Sequence, residues 1–240
     1  MAEKLTIEAI IPISRCDFEG LLGVPETFSL IMDLATEHAE SINLGVSSIG
    51  KKHLFWLAVR TRVHFIRRPK IEERVTLSTW PEAPQRLRNN RCYLIEKDGE
   101  RLVEAKTEWA ILNTQTGKLV RGDEVYPAEL EFEPQSVFDD PFERVKDSFE
   151  ESEQFAAYTV RSTDIDLGGH MNNSAYLRAL FSVFSTEDRK AMEIKGVDVR
   201  FVSPAYEGET LSIFRHQKDN KTEYAMKKAD GSAVLLAAVW

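Results

Sequence analysis

Asp166 and His170 stand four residues apart, bracketing Leu167 and a Gly168-Gly169 pair, and Met171, Asn172, Asn173 and Tyr176 follow closely. A carboxylate and an imidazole at this spacing can share a proton. Asp166 can attack an acyl carbon or draw a proton from water, while His170 orients that proton or shares it. The two glycines let the backbone adopt positive φ and approach a ligand closely. Apolar periodicity resumes at Asn173, with Tyr176, Leu177, Leu180, Phe181 and Phe184 on one face, which predicts a helix over about 173–186. The unpaired N–H groups of its first turn, around Gly169, His170, Met171 and Asn172, can receive an acyl oxygen as it gains negative charge. Turn chemistry accounts for part of the same pattern, since Asp and Gly suit a turn and Asn172 or Asn173 suits an N-cap. It leaves His170 without a role.

The elements that must position this loop occur twice. The first half predicts an extended segment over Ile7–Ile13, a loop Asp17-Phe18-Glu19-Gly20, and a helix over about 27–41 capped by Thr27. Phe28, Ile31, Leu34, Ala35 and His38 share that helix's apolar face. The second half predicts a segment over Ala157–Arg161, the Asp166–Gly169 loop and the helix just described. Alternating strands follow each helix: His53–Phe65, Arg74–Trp80, Asn90–Lys97 and Glu100–Asn113, then Val197–Val202, Thr210–His216, Thr222–Ala229 and Ser232–Trp240. In the longest, Phe55, Leu57, Val59, Val63 and Phe65 fall on one side, and Arg60, Arg62 and His64 on the other. Asp98-Gly99 and Asp230-Gly231 mark tight hairpins. The expected fold is α+β, two repeats in tandem, each a long helix wrapped by a curved antiparallel sheet. Pairing the repeats edge to edge would protect sheet edges that neither covers alone. Asp17 occupies the place of Asp166, but Leu21 stands where His170 would be. Only the second copy carries the pair.

Residues 122–155 hold twelve acidic residues against two basic ones, with Pro127, Pro134 and Pro141, and predict a solvated linker. The expected domains are therefore 1–121, a linker 122–155, and 156–240. A net charge of −8 argues against generic nucleic-acid binding. Residues 60–91 are locally basic, nine Lys or Arg against three Glu. Arg60, Arg62, Arg67, Arg68 and Lys70 can form a face for an acidic partner, or be an ordinary solvated sheet face. Cys16 and Cys92 have no metal-ligand spacing. No phosphate loop or redox motif is present, so no metal and no cofactor is expected. Neither a bilayer-length apolar run nor a secretory leader is apparent, which points to a cytoplasmic protein, monomer or homodimer.

The run Asp166-x-x-Gly-His170-x-Asn-Asn-x-x-Tyr176 resembles the signature of hot-dog-fold thioesterases. The wider chain is similar to the acyl-ACP thioesterases, tandem hot-dog enzymes of plants and bacteria. The likeness runs through Phe55-Trp-Leu-Ala-Val-Arg60, Arg67-Arg-Pro69, Val75-Thr-Leu-Ser-Thr-Trp80, Glu104-Ala-Lys-Thr-Glu-Trp109 and Val199–Leu211. It implies hydrolysis of a fatty acyl thioester on acyl carrier protein, with acyl-CoA hydrolysis or acyl-thioester binding without turnover as alternatives. It implies Asp166 and His170 as catalytic residues, with Gly168, Gly169, Met171, Asn172, Asn173 and Trp56 about the substrate. The basic face becomes the docking site for the carrier, and the first repeat a candidate acyl pocket. Two departures stand out: Gly168 replaces the Asn the family commonly has there, and Pro204 aligns with its catalytic Glu.

Overall fold

The structure, a computed structural model, describes residues 4–240, so the first three residues of the expected N-terminal repeat lie outside the described residues. The described residues divide into two compact units, 4–23 with 30–141, and 24–29 with 142–240.

The first unit holds β1 (Leu5–Ile10), most of α1 (Val24–Ser41), a short α2 (Val46–Ile49), and five further strands. These are β2 (Leu54–Phe65), β3 (Arg74–Pro81), β4 (Asn89–Lys97), β5 (Glu100–Asn113) and β6 (Leu119–Val120). The antiparallel sheet runs β1-β3-β4-β5-β2, with β6 paired to β5. The second unit holds β7 (Gln154–Thr159), α3 (Asn173–Ser182), α4 (Thr186–Ala191), β8 (Gly196–Phe201), β9 (Thr210–Lys218), β10 (Lys221–Lys227) and β11 (Ala233–Val239). Its strands run β7-β9-β10-β11-β8, antiparallel throughout. Matching strands by rank in each unit gives one order for both. The repeat read from sequence is a repeat of topology.

Several boundaries differ from expectation, each for a local reason. Helix α1 starts a turn earlier than Thr27, after Gly23, because Pro25 in its first turn lacks only an N–H the helix could not use. Thr27 is buried within the helix instead of capping it. Helix α3 stops at Ser182, and a new helix begins at Ser185, whose hydroxyl accepts the Asp188 N–H at 3.0 Å while Asp188 caps it in return. A β-bulge between Ala58 and Arg60 switches the faces of β2. Before it Trp56 pairs with Ile111, and after it Val63 pairs with Ala105 on the same face of β5. Trp56, not Phe55, therefore shares a face with Val63 and Phe65. Asp98-Gly99 is a two-residue turn with both φ positive, 52° and 82°. At Asp230-Gly231 only the glycine is positive, at 83°, and the connection is longer.

The acidic stretch 122–155 is divided between the two units, and each part packs on the sheet of its own unit. Gln135 O accepts from Trp80 Nε1 at 2.9 Å, and Val137 packs on Trp80, Cys92 and Leu94. Further along, Val145 and Phe149 pack on Ala225, Ala233 and Leu236 of the second sheet. Asp147 and Glu143 meet Lys227 and Lys221 at 2.6 and 2.5 Å.

Candidate active site

The Asp166 loop is closed by its own backbone. Asp166 N–H donates to His170 O, and Gly169 N–H to Asp166 O, both at 3.0 Å. Gly169 takes φ +75°, which a side chain would resist. Met171 N–H donates to Ala205 O and Asn172 N–H to Asp164 O, each at 2.8 Å. Asp164 is nearly buried and its Oδ2 accepts from Tyr158 Oη at 2.9 Å and Arg161 N–H at 2.8 Å. Asn172 caps α3, its Oδ1 receiving the Ser174 N–H at 2.9 Å and the Ser174 hydroxyl at 2.7 Å. Tyr176 ties α3 to the following turn: its hydroxyl accepts the Ala205 N–H at 2.9 Å. Burial pushes that phenol up to about 12, so it stays protonated.

On this frame Asp166 and His170 come together, both partly exposed. Asp166 Oδ1 accepts the Gly168 N–H at 2.8 Å and lies 3.8 Å from His170 Nδ1. His170 Nδ1 is also 3.4 Å from Met171 O, a weak bond that favours a proton on Nδ1 and leaves Nε2 open. Asp166 Oδ2 has no partner among the described residues. Of the four N–H groups from Gly169 to Asn172, three are committed and only that of His170 is free; Asn173 N–H, at the start of α3, is free as well. The backbone donors left open in this loop are these two, a narrower set than the sequence suggests. Gly168 has a reason of its own. A Cβ there would lie 2.9 Å from His170 Nε2 and 3.0 Å from Asp166 Oδ1, so any side chain would displace one of them.

The first repeat builds the same loop with different chemistry. Asp17 N–H donates to Leu21 O at 2.8 Å, Gly20 N–H to Asp17 O at 3.0 Å, and Leu22 N–H to Pro69 O at 2.7 Å. Each matches a bond of the second loop, with Leu21 for His170 and Pro69 for Ala205. Arg68 then corresponds to Pro204, and it donates to the Asp17 carboxylate. Glu73 corresponds to Glu209. Both receive the N–H at the turn's corner, from Lys70 and from Tyr206, each at 2.8 Å, and both meet a lysine at 3.1 Å. Glu209 is thereby a turn-holding residue.

The remaining candidates lie elsewhere. Trp56 sits in the first unit's core, its Nε1 donating to Leu44 O at 2.8 Å. Arg62 donates to Pro141 O at 2.6 Å and lies over the Phe138 ring. Arg67 grips Glu73 with both terminal nitrogens, at 2.7 and 2.8 Å, which holds that carboxyl well below the usual range. Arg68 is taken by Asp17 and Arg60 is partly buried, leaving Lys70 as the exposed member of the basic set. Sequence spacing gave no sign of these partners, which lie on other strands and loops.

Two units of one strand order, each with a helix on an antiparallel sheet and one bearing an Asp–His loop, define a tandem hot-dog protein. Residues 3–129 match the acyl-ACP thioesterase N-terminal domain and residues 147–234 the C-terminal domain. The chain belongs to the acyl-ACP thioesterase family. It is 25% identical over 206 residues to an oleoyl-acyl carrier protein thioesterase of Coriandrum sativum, covering 74% of this chain and 56% of that one. It is 24% identical over 200 residues to an acyl-[acyl-carrier-protein] hydrolase of Cuphea viscosissima, covering 75% and 48%. The chain thus spans about half the length of the curated relatives it matches. Among solved structures, an acyl-ACP thioesterase of Bacteroides thetaiotaomicron is similar with TM-score 0.89 at 22% identity, over 99% of this chain and 97% of that one. The 12:0-ACP thioesterase of Umbellularia californica gives 0.87 at 19%, over 100% and 97%. No helix among the described residues is long and apolar enough to cross a membrane.

Proposed function

We propose that this chain hydrolyses a fatty acyl thioester carried on acyl carrier protein, releasing the free fatty acid and the carrier thiol. The observation that supports this best is the pairing of Asp166 and His170 across the Gly-Gly turn, beside the unpaired N–H groups of His170 and Asn173. The acyl carbonyl oxygen is received by those N–H groups. Asp166 Oδ2 draws a proton from water as its oxygen bonds to the acyl carbon. The tetrahedral intermediate then collapses with cleavage of the C–S bond, and the proton passes through His170 to the departing sulfur. Water and thioester go in; carboxylic acid and thiol come out. Lys70, the exposed member of the basic set, offers a positive charge toward an anionic carrier.

The test is acyl release across acyl-ACP chain lengths, with Asp166→Asn and acyl-CoA of matched chains beside it. Loss of release in a folded Asp166→Asn protein is expected, with acyl-ACP preferred. Wild-type turnover by that variant would sink the assignment. A second reading, acyl-thioester binding without hydrolysis, is favoured by Gly168 and Pro204, which stand where the resembling enzymes carry Asn and Glu. It requires tight binding and no product.

A further inference from the structure

The most polar part of the buried interior outside the loop lies in the first unit. Arg91, on β4, is only 6% exposed. Its Nη1 donates to His38 Nδ1 at 2.8 Å and to Thr79 Oγ1 at 3.3 Å. Among the described residues Nε and Nη2 donate to nothing, and no carboxylate pairs with the guanidinium. A buried cation without a counter-ion is costly, and a fold built only for stability would replace it with an apolar side chain.

The neighbours add mostly donors, the buried and unpartnered amide oxygen of Asn89 being an acceptor, and no charge to balance it. Arginine cannot accept, so His38 Nδ1 must, and the imidazole proton sits on Nε2, which is a further donor. Burial, then the adjacent guanidinium, holds His38 down to about 4, so it contributes no negative or positive charge at neutral pH. Tyr93 Oη and Trp109 Nε1 are both buried and make no well-formed hydrogen bond, although each lies near the other. Tyr126, close enough to feel the Arg91 charge, is kept protonated by burial, which pushes it up to about 12. Strand register sets these groups on one sheet face, with Arg91 opposite Thr107, Tyr93 opposite Thr79 and Asn89 opposite Trp109. Beyond Thr61, which pairs its hydroxyl with that of Thr107 at 3.0 Å, the face continues with buried Leu77, Ile95, Val63 and Ala105. The unused Nε–Nη2 edge is the one with which arginine holds a carboxylate by two parallel bonds.

We propose that this cluster binds the carboxylate of an aliphatic acid, gripped by the Nε–Nη2 edge of Arg91 with Tyr93 Oη and Trp109 Nε1 as further donors. The surrounding apolar face suits the chain. Such a carboxylate has two sources: a free fatty acid, or the far end of an acyl chain that is a dicarboxylic acid. The site lies in the first unit and binding there requires no turnover, so it stands or falls apart from the hydrolytic reading.

The experiment is calorimetric titration of the full chain with three probes: dodecanoate, dodecan-1-ol, and the monoamide of dodecanedioic acid. The expected result is binding of a carboxylate probe, with the alcohol weaker by roughly tenfold or more. Tighter binding of dodecanoate assigns the site to free fatty acid; tighter binding of the monoamide assigns it to a chain-terminal carboxylate. Arg91→Met should lose about tenfold or more in affinity for the preferred acid while its ligand-free Tm stays level or rises. Tyr93→Phe, which removes only an unpartnered hydroxyl, provides a second variant with an intact fold and an expected several-fold loss. Equal affinity for alcohol and acids, or unchanged affinity in both variants, would overturn the proposal.

Discussion

Arg68 closes on the carboxylate of Asp17 in the first loop, at the register position that Pro204 holds in the second. The two loops share backbone hydrogen bonds, yet one aspartate is neutralised and almost fully covered while the other keeps Oδ2 open. Asp17 is structural by this geometry. Asp17→Asn should leave acyl release within about twofold, yet lower stability by about 3 kcal/mol because Arg68 loses its counter-charge in a largely buried setting. Asp166→Asn should do the reverse. Urea denaturation beside turnover separates the two, and equal loss of activity in both variants would contradict the asymmetry.

The space above Gly168 gives a second expectation. Its φ lies outside the left-handed region, so backbone strain does not demand glycine there; His170 Nε2 and Asp166 Oδ1 do. Gly168→Ala should lower kcat roughly tenfold through displacement of one partner, with little change in Tm, since the residue is exposed. Gly169→Ala acts through φ +75° and should cost about 1 kcal/mol of stability. Gly168→Ala with wild-type kcat would mean that the Asp–His approach is not needed.

Much of this was legible from the chain, and the misses share a cause. Helix faces, hairpin turns and the duplicated Asp-x-x-Gly loop are local signals, and they reveal the repeated succession of elements but not the order of strands within each sheet. The bulge at Ala58–Arg60 was not visible, because alternation continues through it while the faces exchange. Arg68 meets Asp17 from 51 residues away, Arg67 meets Glu73 across a turn, and Arg62 meets Pro141 from 79 residues away. A run of basic residues reads as an open charged face unless those partners are known. Arg91 counted among the same basic run, although register turns it into the core. Pattern shows which residues could act; only tertiary pairing shows which are already occupied.

His38 predicts a pH dependence of stability. Its ordinary value of 6.5 falls to about 4 in the folded chain, chiefly through burial and secondarily through Arg91. Above pH 6.5 both folded and unfolded states hold it neutral and it contributes no slope. As pH drops toward 4 the unfolded chain takes up the proton first, so folding stability declines across that interval and levels off below it. The gap amounts to on the order of 3 kcal/mol. Carboxylates titrate in the same range, so the comparison is with His38→Gln, whose unfolding free energy should fall less between pH 7 and 4.5. Parallel curves for the two proteins would show that His38 is not held neutral.

Tyr176 links the helix to the Asp166 loop, and its hydroxyl can be tested on its own. It accepts the N–H of Ala205, a residue with no exposed surface, and Ala205 O in turn receives Met171 N–H at 2.8 Å. Tyr176→Phe keeps the ring against Phe201 but leaves the Ala205 N–H buried without an acceptor, at a cost of about 1–3 kcal/mol. The turn at Ala205 would then hold Met171, and through it His170, less firmly. The expected result is a kcat reduced several-fold with KM little changed, because chain binding is untouched while the reacting groups lose alignment. A variant that loses stability by this amount yet keeps full kcat would show that the Asp166–Met171 loop holds its geometry without the Tyr176 anchor.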